Sequence, residues 1–272
     1  MNDFQDKTAI VTGGGTGMGK EICQELAKLG SVVYVADIDE NSSKQVAISI
    51  EQVGGRAHYK VVDVSKEEDI CNLIDEVVAK HGHLDYIFNN AGIAIGGDLR
   101  DITLDQYRKV LDVDLFGVLY GTFYAYKVMA KQGFGHIVNT ASVAGLFPRP
   151  GNIPYCISKY GVVGLTLSLR YEGADLGVKT TVVCPGRVKT DIFKSTKYIN
   201  VRDEYLSAMS SKAMGVSQAV KIILNGVSRN KEIIIFPFSM RVVWYLYRLF
   251  PRVMGSILLK GMRELRKYRK AN

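Results

Sequence analysis

Tyr155 and Lys159 are the residues of this chain whose types and spacing most directly suggest chemistry. They bound the segment YCISK, and on an α-helix this separation of four places both side chains on one face, a turn apart. A phenol titrates near ~10 and is a poor base at neutral pH, but a neighbouring ammonium ion favours its ionised form. The pair could therefore form an activated acid/base. Taken alone, however, a tyrosine and a lysine at this spacing more often form a solvated helix face.

A glycine-rich turn lies between the first predicted strand and the first predicted helix. The segment TGGGTGMGK begins at Thr12 and spaces Gly13, Gly17 and Gly19 as GxxxGxG. Such a turn lets the backbone approach a pyrophosphate, to which the helix N-terminus offers unpaired N–H groups. Asp37 ends the next strand-like run, where a carboxylate can bind both ribose hydroxyls of an adenosine and repel a 2′-phosphate. The alternative for Asp37 is a structural aspartate that caps a turn.

Apolar, β-branched runs alternate with stretches of helical period along most of the chain. Seven runs have this character: KTAIVT, SVVYVAD, AHYKVVD, LDYIFNN, HIVNTAS, VKTTVVC and EIIIFP. Strands alternating with helices predict an α/β fold, a doubly wound, seven-stranded parallel sheet with helices on both faces. We expect a single such domain over residues 1–240, with a tail over residues 241–272. A long helix is predicted from Leu104 to Lys131, and another carries Tyr155 and Lys159.

In order and spacing, the motifs resemble those of the short-chain dehydrogenase/reductase family, in its shorter branch. They run from Thr12 to about Asp191: TGGGTGMG, DV at Asp63, NNAG at Asn89–Gly92, Ser142 in NTASVAG, YCISK, and PGRVKTD from Pro185. The resemblance implies a Rossmann-like fold and hydride transfer between a nicotinamide cofactor and a secondary alcohol or ketone. It also implies a homodimer or a homotetramer.

The resemblance implies a catalytic set made of Ser142, Tyr155 and Lys159, with Asp114 beside them. Tyr155 would be the acid/base, Lys159 its activator, and Ser142 the donor that orients the substrate oxygen. Asp114, in VDVDLFGV, departs from the family, which usually has asparagine here to hold a water between the lysine and solvent. An aspartate would add negative charge near Lys159 and weaken the effect of the lysine on Tyr155.

The resemblance also implies a dinucleotide site, and NAD is expected rather than NADP. Asp37 is present, and Thr16 stands where members that prefer NADP often carry arginine or lysine. Asp63 would contact adenine, and Thr190 the carboxamide end. The full predicted set is Gly13, Thr16, Gly17, Met18, Gly19, Asp37, Ile38, Asp63, Val64, Asn90, Ala91, Gly92, Tyr155, Lys159, Pro185, Gly186, Val188 and Thr190. No metal site is expected, because the four cysteines and four histidines show no metal-ligand spacing.

The charge of this protein is concentrated at its carboxyl end. The net charge is +8, from 35 Lys and Arg against 27 Asp and Glu, and residues 241–272 hold nine of the former and one of the latter. The remaining 26 basic and 26 acidic residues cancel, so the pattern gives no support for a nucleic-acid partner. The segment MNDFQDKTAI shows no signal-peptide pattern, which together with the scattered cysteines predicts a cytoplasmic location.

The tail, RVVWYLYRLFPRVMGSILLKGMRELRKYRK, predicts a cationic amphipathic helix that Pro251 breaks or kinks. Aromatic, apolar and basic residues in this arrangement suit peripheral contact with an anionic membrane surface. The alternative is a helix that covers its own subunit or a partner subunit, with its charges in water.

The substrate prediction is a hydrophobic alcohol or ketone, steroid-like or with an acyl chain. Five apolar residues in the segments that vary within the family would line its site: Ile95, Leu146, Phe147, Ile192 and Phe193. Two other functions compete with this one. A non-catalytic nucleotide-binding or membrane-associated scaffold is disfavoured by the intact Ser–Tyr–Lys set. A sugar-nucleotide epimerase or dehydratase of the related longer fold is disfavoured by the GxxxGxG spacing and the short chain after Pro185.

Overall fold

A computed structural model describes residues 3–190, 197–202, 204 and 213–270, and a parallel β-sheet lies at its centre. The strands are β1 (Thr8–Thr12), β2 (Val32–Asp37), β3 (Arg56–Val61), β4 (Tyr86–Asn89), β5 (Ile95–Gly96), β6 (Gly135–Thr140), β7 (Val178–Pro185), β8 (Lys197–Tyr198) and β9 (Ile233–Phe236). Seven of them form one sheet in the order β3-β2-β1-β4-β6-β7-β9, with every pair parallel. These are the seven predicted runs, so the predicted fold class is confirmed. β5 and β8 pair separately.

Helices cover both faces of this sheet. They are α1 (Gly17–Lys28), α2 (Glu40–Glu51), α3 (Glu67–His81), α4 (Leu104–Leu111), α5 (Gly117–Gln132), α6 (Ile153–Gly173), α7 (Val216–Ser228), α8 (Phe238–Leu249) and α9 (Pro251–Lys267). Alternate residues of β1 point to opposite faces, as the pleat of a strand requires. Ala9 and Val11 join the cluster with α1, α2 and α7, while Ile10 joins the cluster with α3 and α5.

The long helix predicted from Leu104 to Lys131 is present but not uniform. A π-helical turn, Asp112–Phe116, joins α4 to α5. Such turns insert one extra residue into a helix and often occur at functional sites. This one carries Asp114 into the protein interior, where its side chain is fully buried.

The strand connections change direction next to β1. From β1 the chain winds outward to β2 and β3, and it then returns to β4 on the other side of β1. Neighbouring loops therefore separate at the carboxyl ends of β1 and β4, the place where open α/β sheets bind ligands. The glycine turn follows β1, the NNAG segment overlaps the end of β4, Ser142 follows β6, and the PG segment ends β7. The fold thus brings the predicted motifs to one edge.

The predicted break at Pro251 is confirmed. α8 ends at Leu249, α9 begins at Pro251, and the two helices are bent by 118° from one another. Within the described ranges, no single helix is long and apolar enough to cross a membrane, although this bent pair meets the length and composition criteria when taken together.

Two carboxylate–arginine pairs fasten the end of α9 to the body of the protein. Arg266 Nε donates to Asp98 Oδ2 at 2.8 Å, and Arg269 holds Asp101 with two hydrogen bonds of 2.8 and 2.7 Å. The hydrogen bond from Arg100 holds the pKa of Asp98 well below its usual range; burial opposes this effect and Arg266 adds to it. Hydrogen bonds from Arg269, and then from Asn200, lower the pKa of Asp101 to about 2. Both acids therefore stay ionised at neutral pH.

We expect the double variant Asp98→Asn/Asp101→Asn to release α9. A carboxylate whose folded pKa is depressed stabilises the fold above its unfolded pKa of ~3.9, and this stabilisation is lost as the pH falls through the folded value. The asparagines reproduce the protonated state at neutral pH. Trypsin should then cleave after Arg263 and Lys267 several-fold faster, since local opening exposes these bonds.

The matched control is Asp105→Asn, an exposed acid of α4 that pairs with Arg108. Its digestion should follow that of the parent protein. Equal cleavage rates in all three proteins would show that the two pairs do not hold the tail.

Candidate active site

The glycine turn after β1 is built for close approach. Gly13 has φ +62°, and a Cβ there would lie 2.8 Å from the Cα of Ala91. A Cβ at Gly19 would collide with the carbonyl oxygen of Gly13. The side chain of Thr16, the N-cap residue of α1, makes no capping hydrogen bond within the described residues, so the first N–H groups of the helix could receive an anion. These features fit a pyrophosphate.

The segment after β4 is joined to this turn by hydrogen bonds. Thr12 Oγ1 accepts from the backbone N–H groups of Asn90 and Ala91, at 3.0 and 3.2 Å. Asn90 Nδ2 donates to the carbonyl oxygen of Thr12 at 3.2 Å. Two of the predicted cofactor segments are thus held together through Thr12, whose structural role the sequence alone did not reveal.

Asp37 caps the glycine turn and keeps part of its carboxylate accessible. Its Oδ2 accepts from Gly15 N at 2.9 Å and its Oδ1 from Asp39 N at 3.1 Å, so it does cap the glycine turn. The side chain is only partly buried, and each oxygen retains a second lone pair that a ribose hydroxyl could use. Ile38, the next residue, is 67% exposed and could lie against an adenine ring. Asp63 is turned toward its own loop, where Oδ1 accepts from Ser65 N and Oγ.

Four of the remaining predicted cofactor residues lie at or after the end of β7, and three others lie on other segments. Thr190 faces Gly17, where an added Cβ would lie 3.3 Å from the Cβ of Thr190. Gly186 N donates to the carbonyl oxygen of Phe236 at 2.7 Å, which fixes the turn after Pro185 against β9. Val188 is buried, as is Val64 on the opposite side, while Met18 packs on the core from α1. Gly92 lies against the carboxylate of Asp114.

Lys159 lies at the centre of a buried polar cluster. Its Nζ is 3.0 Å from Asp114 Oδ2, and it donates to the carbonyl oxygen of Thr140 at 3.1 Å. Asp114 Oδ1 accepts from Ile93 N at 2.7 Å. Lys159 is 3% exposed and Asp114 0%, so the pair is shielded from water.

Tyr155 and Ser142 complete this cluster. Lys159 Nζ lies 5.3 Å from the centroid of the Tyr155 ring, one helical turn away, as the spacing predicted. Ser142 Oγ accepts from Ala144 N at 3.1 Å and lies 3.4 Å from the carbonyl oxygen of Pro185. The Ser142 side chain also lies near enough to Tyr155 to lower its pKa. The structure therefore brings together all four residues of the predicted catalytic set.

The two charged residues of the cluster, Lys159 and Asp114, have opposite effects on the pKa of Tyr155. Burial raises the pKa of Tyr155; Lys159 lowers it, Asp114 raises it further, and Ser142 lowers it. The net pKa of Tyr155 is above its ordinary value. Burial alone would lower the pKa of Lys159, but Asp114, followed by Tyr155, raises it overall. Asp114 therefore keeps the lysine charged while opposing its effect on the tyrosine.

The predicted substrate wall is partly covered by α8. Leu146 and Phe147 are buried and join a cluster with Met240, Val243, Trp244 and Tyr247 of α8. Ile95 is buried as well, whereas Ile192 and Phe193 lie outside the described residues. The sequence left open that the tail covers its own subunit, but it did not indicate which residues α8 would cover.

Comparisons with known proteins agree with this geometry. The family model described as short chain dehydrogenase matches residues 7–198. The 3beta-hydroxysteroid dehydrogenase 2 of Eggerthella lenta is 34% identical over 188 residues, which are 68% of this chain and 72% of that protein. The cyclohexanol dehydrogenase of an Acinetobacter species is 36% identical over 193 residues, 70% of this chain and 76% of that protein.

A solved structure extends the similarity over nearly the whole chain. The short-chain dehydrogenase/reductase of Burkholderia phymatum, in complex with NAD, has a TM-score of 0.86 and 27% sequence identity, and the match covers 93% of this chain and 97% of that one. The range matched by the family model spans the positions of the glycine turn, Ser142, Tyr155 and Lys159. This chain therefore belongs to the short-chain dehydrogenase/reductase family of oxidoreductases.

Proposed function

We propose that this protein is an NAD-dependent dehydrogenase/reductase that interconverts a hydrophobic secondary alcohol and its ketone. The observation that carries the proposal is the position of Tyr155. Its ring lies beside the Lys159 ammonium, the Ser142 side chain lowers its pKa, and it lies at the sheet edge that carries the glycine turn. The relatives named for cyclohexanol and a 3beta-hydroxysteroid support an alcohol as the substrate.

The residues at the carboxyl edge fit NAD better than NADP. The uncapped N-terminus of α1 and the absence of side chains at Gly13 and Gly19 suit a pyrophosphate. The Asp37 carboxylate suits the two ribose hydroxyls and would repel a 2′-phosphate. When bound, the nicotinamide would accept or supply the hydride.

The reaction then needs three contributions from the chain itself. In oxidation, ionised Tyr155 takes the proton of the alcohol hydroxyl while the hydrogen on the carbinol carbon leaves with its electron pair. In reduction, the protonated Tyr155 returns that proton to the forming alkoxide. Ser142 donates a hydrogen bond to the same oxygen, and Lys159 opposes the rise in the pKa of Tyr155 that burial causes.

Asp114 raises the pKa of both Lys159 and Tyr155. By raising the pKa of Lys159, it keeps the ammonium charged in a place where burial would favour the neutral amine. Its own charge raises the pKa of Tyr155, which makes ionisation of the phenol harder. We infer that Asp114 acts as a positioning and charge-setting residue, since its carboxylate contacts Lys159 and Ile93 N.

A non-catalytic nucleotide-binding protein is the second candidate, and the convergence of Ser142, Tyr155 and Lys159 argues against it.

We also propose a homodimer or homotetramer, supported by exposed apolar side chains on α5 and α6: Phe123, Ile153, Ile157, Tyr160 and Tyr171. The cytoplasmic location stays a prediction from the sequence.

We expect Tyr155→Phe to bind NADH but to lose turnover. The variant keeps the ring and removes the only group proposed to exchange a proton with the substrate, so kcat should fall roughly 10²–10⁴-fold. Quenching of NADH fluorescence measures binding, and a panel of cyclic and linear secondary alcohols measures turnover. The control is Tyr160→Phe, the same change on an exposed position of the same helix, with unchanged activity. Turnover by Tyr155→Phe at the parent rate would remove Tyr155 from the mechanism.

Asp114→Asn should move the pH–rate profile of alcohol oxidation toward lower pH. Removing the carboxylate removes an effect that raises the pKa of Tyr155, so the phenolate forms at lower pH. The same change lets the pKa of Lys159 fall. The control is Asp112→Asn in the same π-helical turn, where the side chain is exposed. Superimposable profiles for parent and Asp114→Asn would mean that Tyr155 does not experience the buried charge.

The preference for NADH should depend on the charge of Asp37. Asp37→Asn keeps the size of the side chain and removes the charge, so the ratio of NADPH to NADH affinity should rise about ten-fold or more, as for a hydrogen bond to a charged group. Fluorescence quenching with each cofactor measures this ratio without turnover. Asp39→Asn is the control, because asparagine caps a helix as well as aspartate does. An unchanged ratio in Asp37→Asn would refute the role of Asp37.

A further inference from the structure

Exposed apolar side chains lie along both helices of the α8–α9 corner. On α8 the spacing of four, three, one and three residues places five of them on one helical face, and four more follow at Phe250 and on α9. We call this set the corner patch: Phe238, Val242, Tyr245, Leu246, Leu249, Phe250, Val253, Ile257 and Leu259, each 42–75% exposed. A surface of this kind marks an interaction site more often than chance exposure.

The opposite faces of the same helices are already occupied. Met240, Val243, Trp244 and Tyr247 of α8 pack on the core. Leu265 of α9 is buried, and Arg266 is bound to Asp98. The orientation of both helices is therefore fixed by the body of the protein, and the corner patch cannot be their core-facing side.

Several basic residues of α8 and α9 lie next to residues of the corner patch in sequence. Within the described residues, five of them form no ion pair: Arg241, Arg248, Arg252, Lys260 and Arg263. Glu264 is the one acidic residue of residues 241–272, and Lys267 binds it. The segment holds the whole excess positive charge of the protein. Its partner should therefore be both apolar and anionic.

This combination disfavours the simplest protein partner, a second copy of the chain. A two-fold symmetric interface places the same surface on both sides, so these cations would face one another. An anionic lipid bilayer meets both requirements: its acyl boundary receives Leu, Phe and Ile side chains, and its lipid phosphates attract arginine and lysine.

We propose that the corner patch docks this protein on the surface of an anionic lipid bilayer. The helices lie in the interface and do not span it, because Arg248 and Arg252 flank the break at which the two helices diverge by 118°. The docking does not depend on the proposed enzyme activity.

Docking would place the substrate side of the protein near the lipid. The inner face of α8 contacts Leu146 and Phe147, and Met240 lies against Gly186. The two sides of one helix thus meet the bilayer and the predicted substrate wall. This consequence rests on the proposed function and suits a substrate that partitions into membranes.

The test is cosedimentation of the full chain with vesicles of phosphatidylcholine alone or of phosphatidylcholine with about one third phosphatidylglycerol. We expect binding to the anionic vesicles that weakens as salt is added, because salt screens exposed charges. The variant Arg241→Gln/Arg248→Gln/Arg252→Gln should bind at least ~10-fold more weakly, given the contribution of each basic residue near a lipid surface. Leu249→Ser/Phe250→Ser/Val253→Ser should lose binding to a similar extent.

The matched control changes exposed residues away from the corner patch. Leu104→Ser/Lys109→Gln/Lys131→Gln removes one apolar side chain and two charges, and it should bind like the parent protein. Thermal unfolding by circular dichroism verifies that each variant is folded. Equal sedimentation with both vesicle types, or equal binding by the parent and the corner-patch variants, would overturn the proposal. A change of oligomeric state in the serine variant, measured by light scattering, would also overturn it in favour of a subunit interface.

Discussion

The buried ion pair between Lys159 and Asp114 is the interaction on which the rest of the site depends. A charge taken out of water is tolerated only when it is paired and hydrogen-bonded. Here the ammonium has the Asp114 carboxylate and the Thr140 carbonyl, while the carboxylate also has Ile93 N. Removing one member of such a pair commonly costs about 3–5 kcal/mol, because the other charge is left without compensation. The pair therefore fixes α6 and the π-helical turn relative to the edge of the sheet.

The topology of the sheet brings the Lys159–Asp114 pair close to Tyr155. Ile93 follows β4, Thr140 ends β6, and Ser142 lies two residues beyond it. Because parallel strands end at one edge, backbone and side-chain groups from distant parts of the sequence converge on one helix, α6. The π-helical turn then supplies the acid at the depth of Lys159. Neither charge could be kept in the interior by residues near it in sequence alone.

Local pattern was sufficient for the strands, the glycine turn and the break at Pro251. Each depends on a few neighbouring residues, such as the β-branched run of β2 or the fixed backbone of proline. The π-helical turn was not predictable, since nothing in VDVDLFGV distinguishes it from a regular helix. The pairing of Asp98 with Arg266 and of Asp101 with Arg269 joins residues 168 apart, which no periodicity reveals. The contact of α8 with Leu146 and Phe147 has the same long-range origin.

These long-range contacts divide the basic residues of the tail into two groups. Arg266 and Arg269 are neutralised by acids of the body, so they hold α9 in place and contribute little to an outward field. Arg241, Arg248 and Arg252 are left beside the exposed apolar side chains of the corner. A helix needed only as a cover for the substrate wall would gain solubility from polar residues at Leu246 and Leu249. Apolar side chains at these positions, with basic residues beside them, are instead expected on a surface that faces a lipid bilayer.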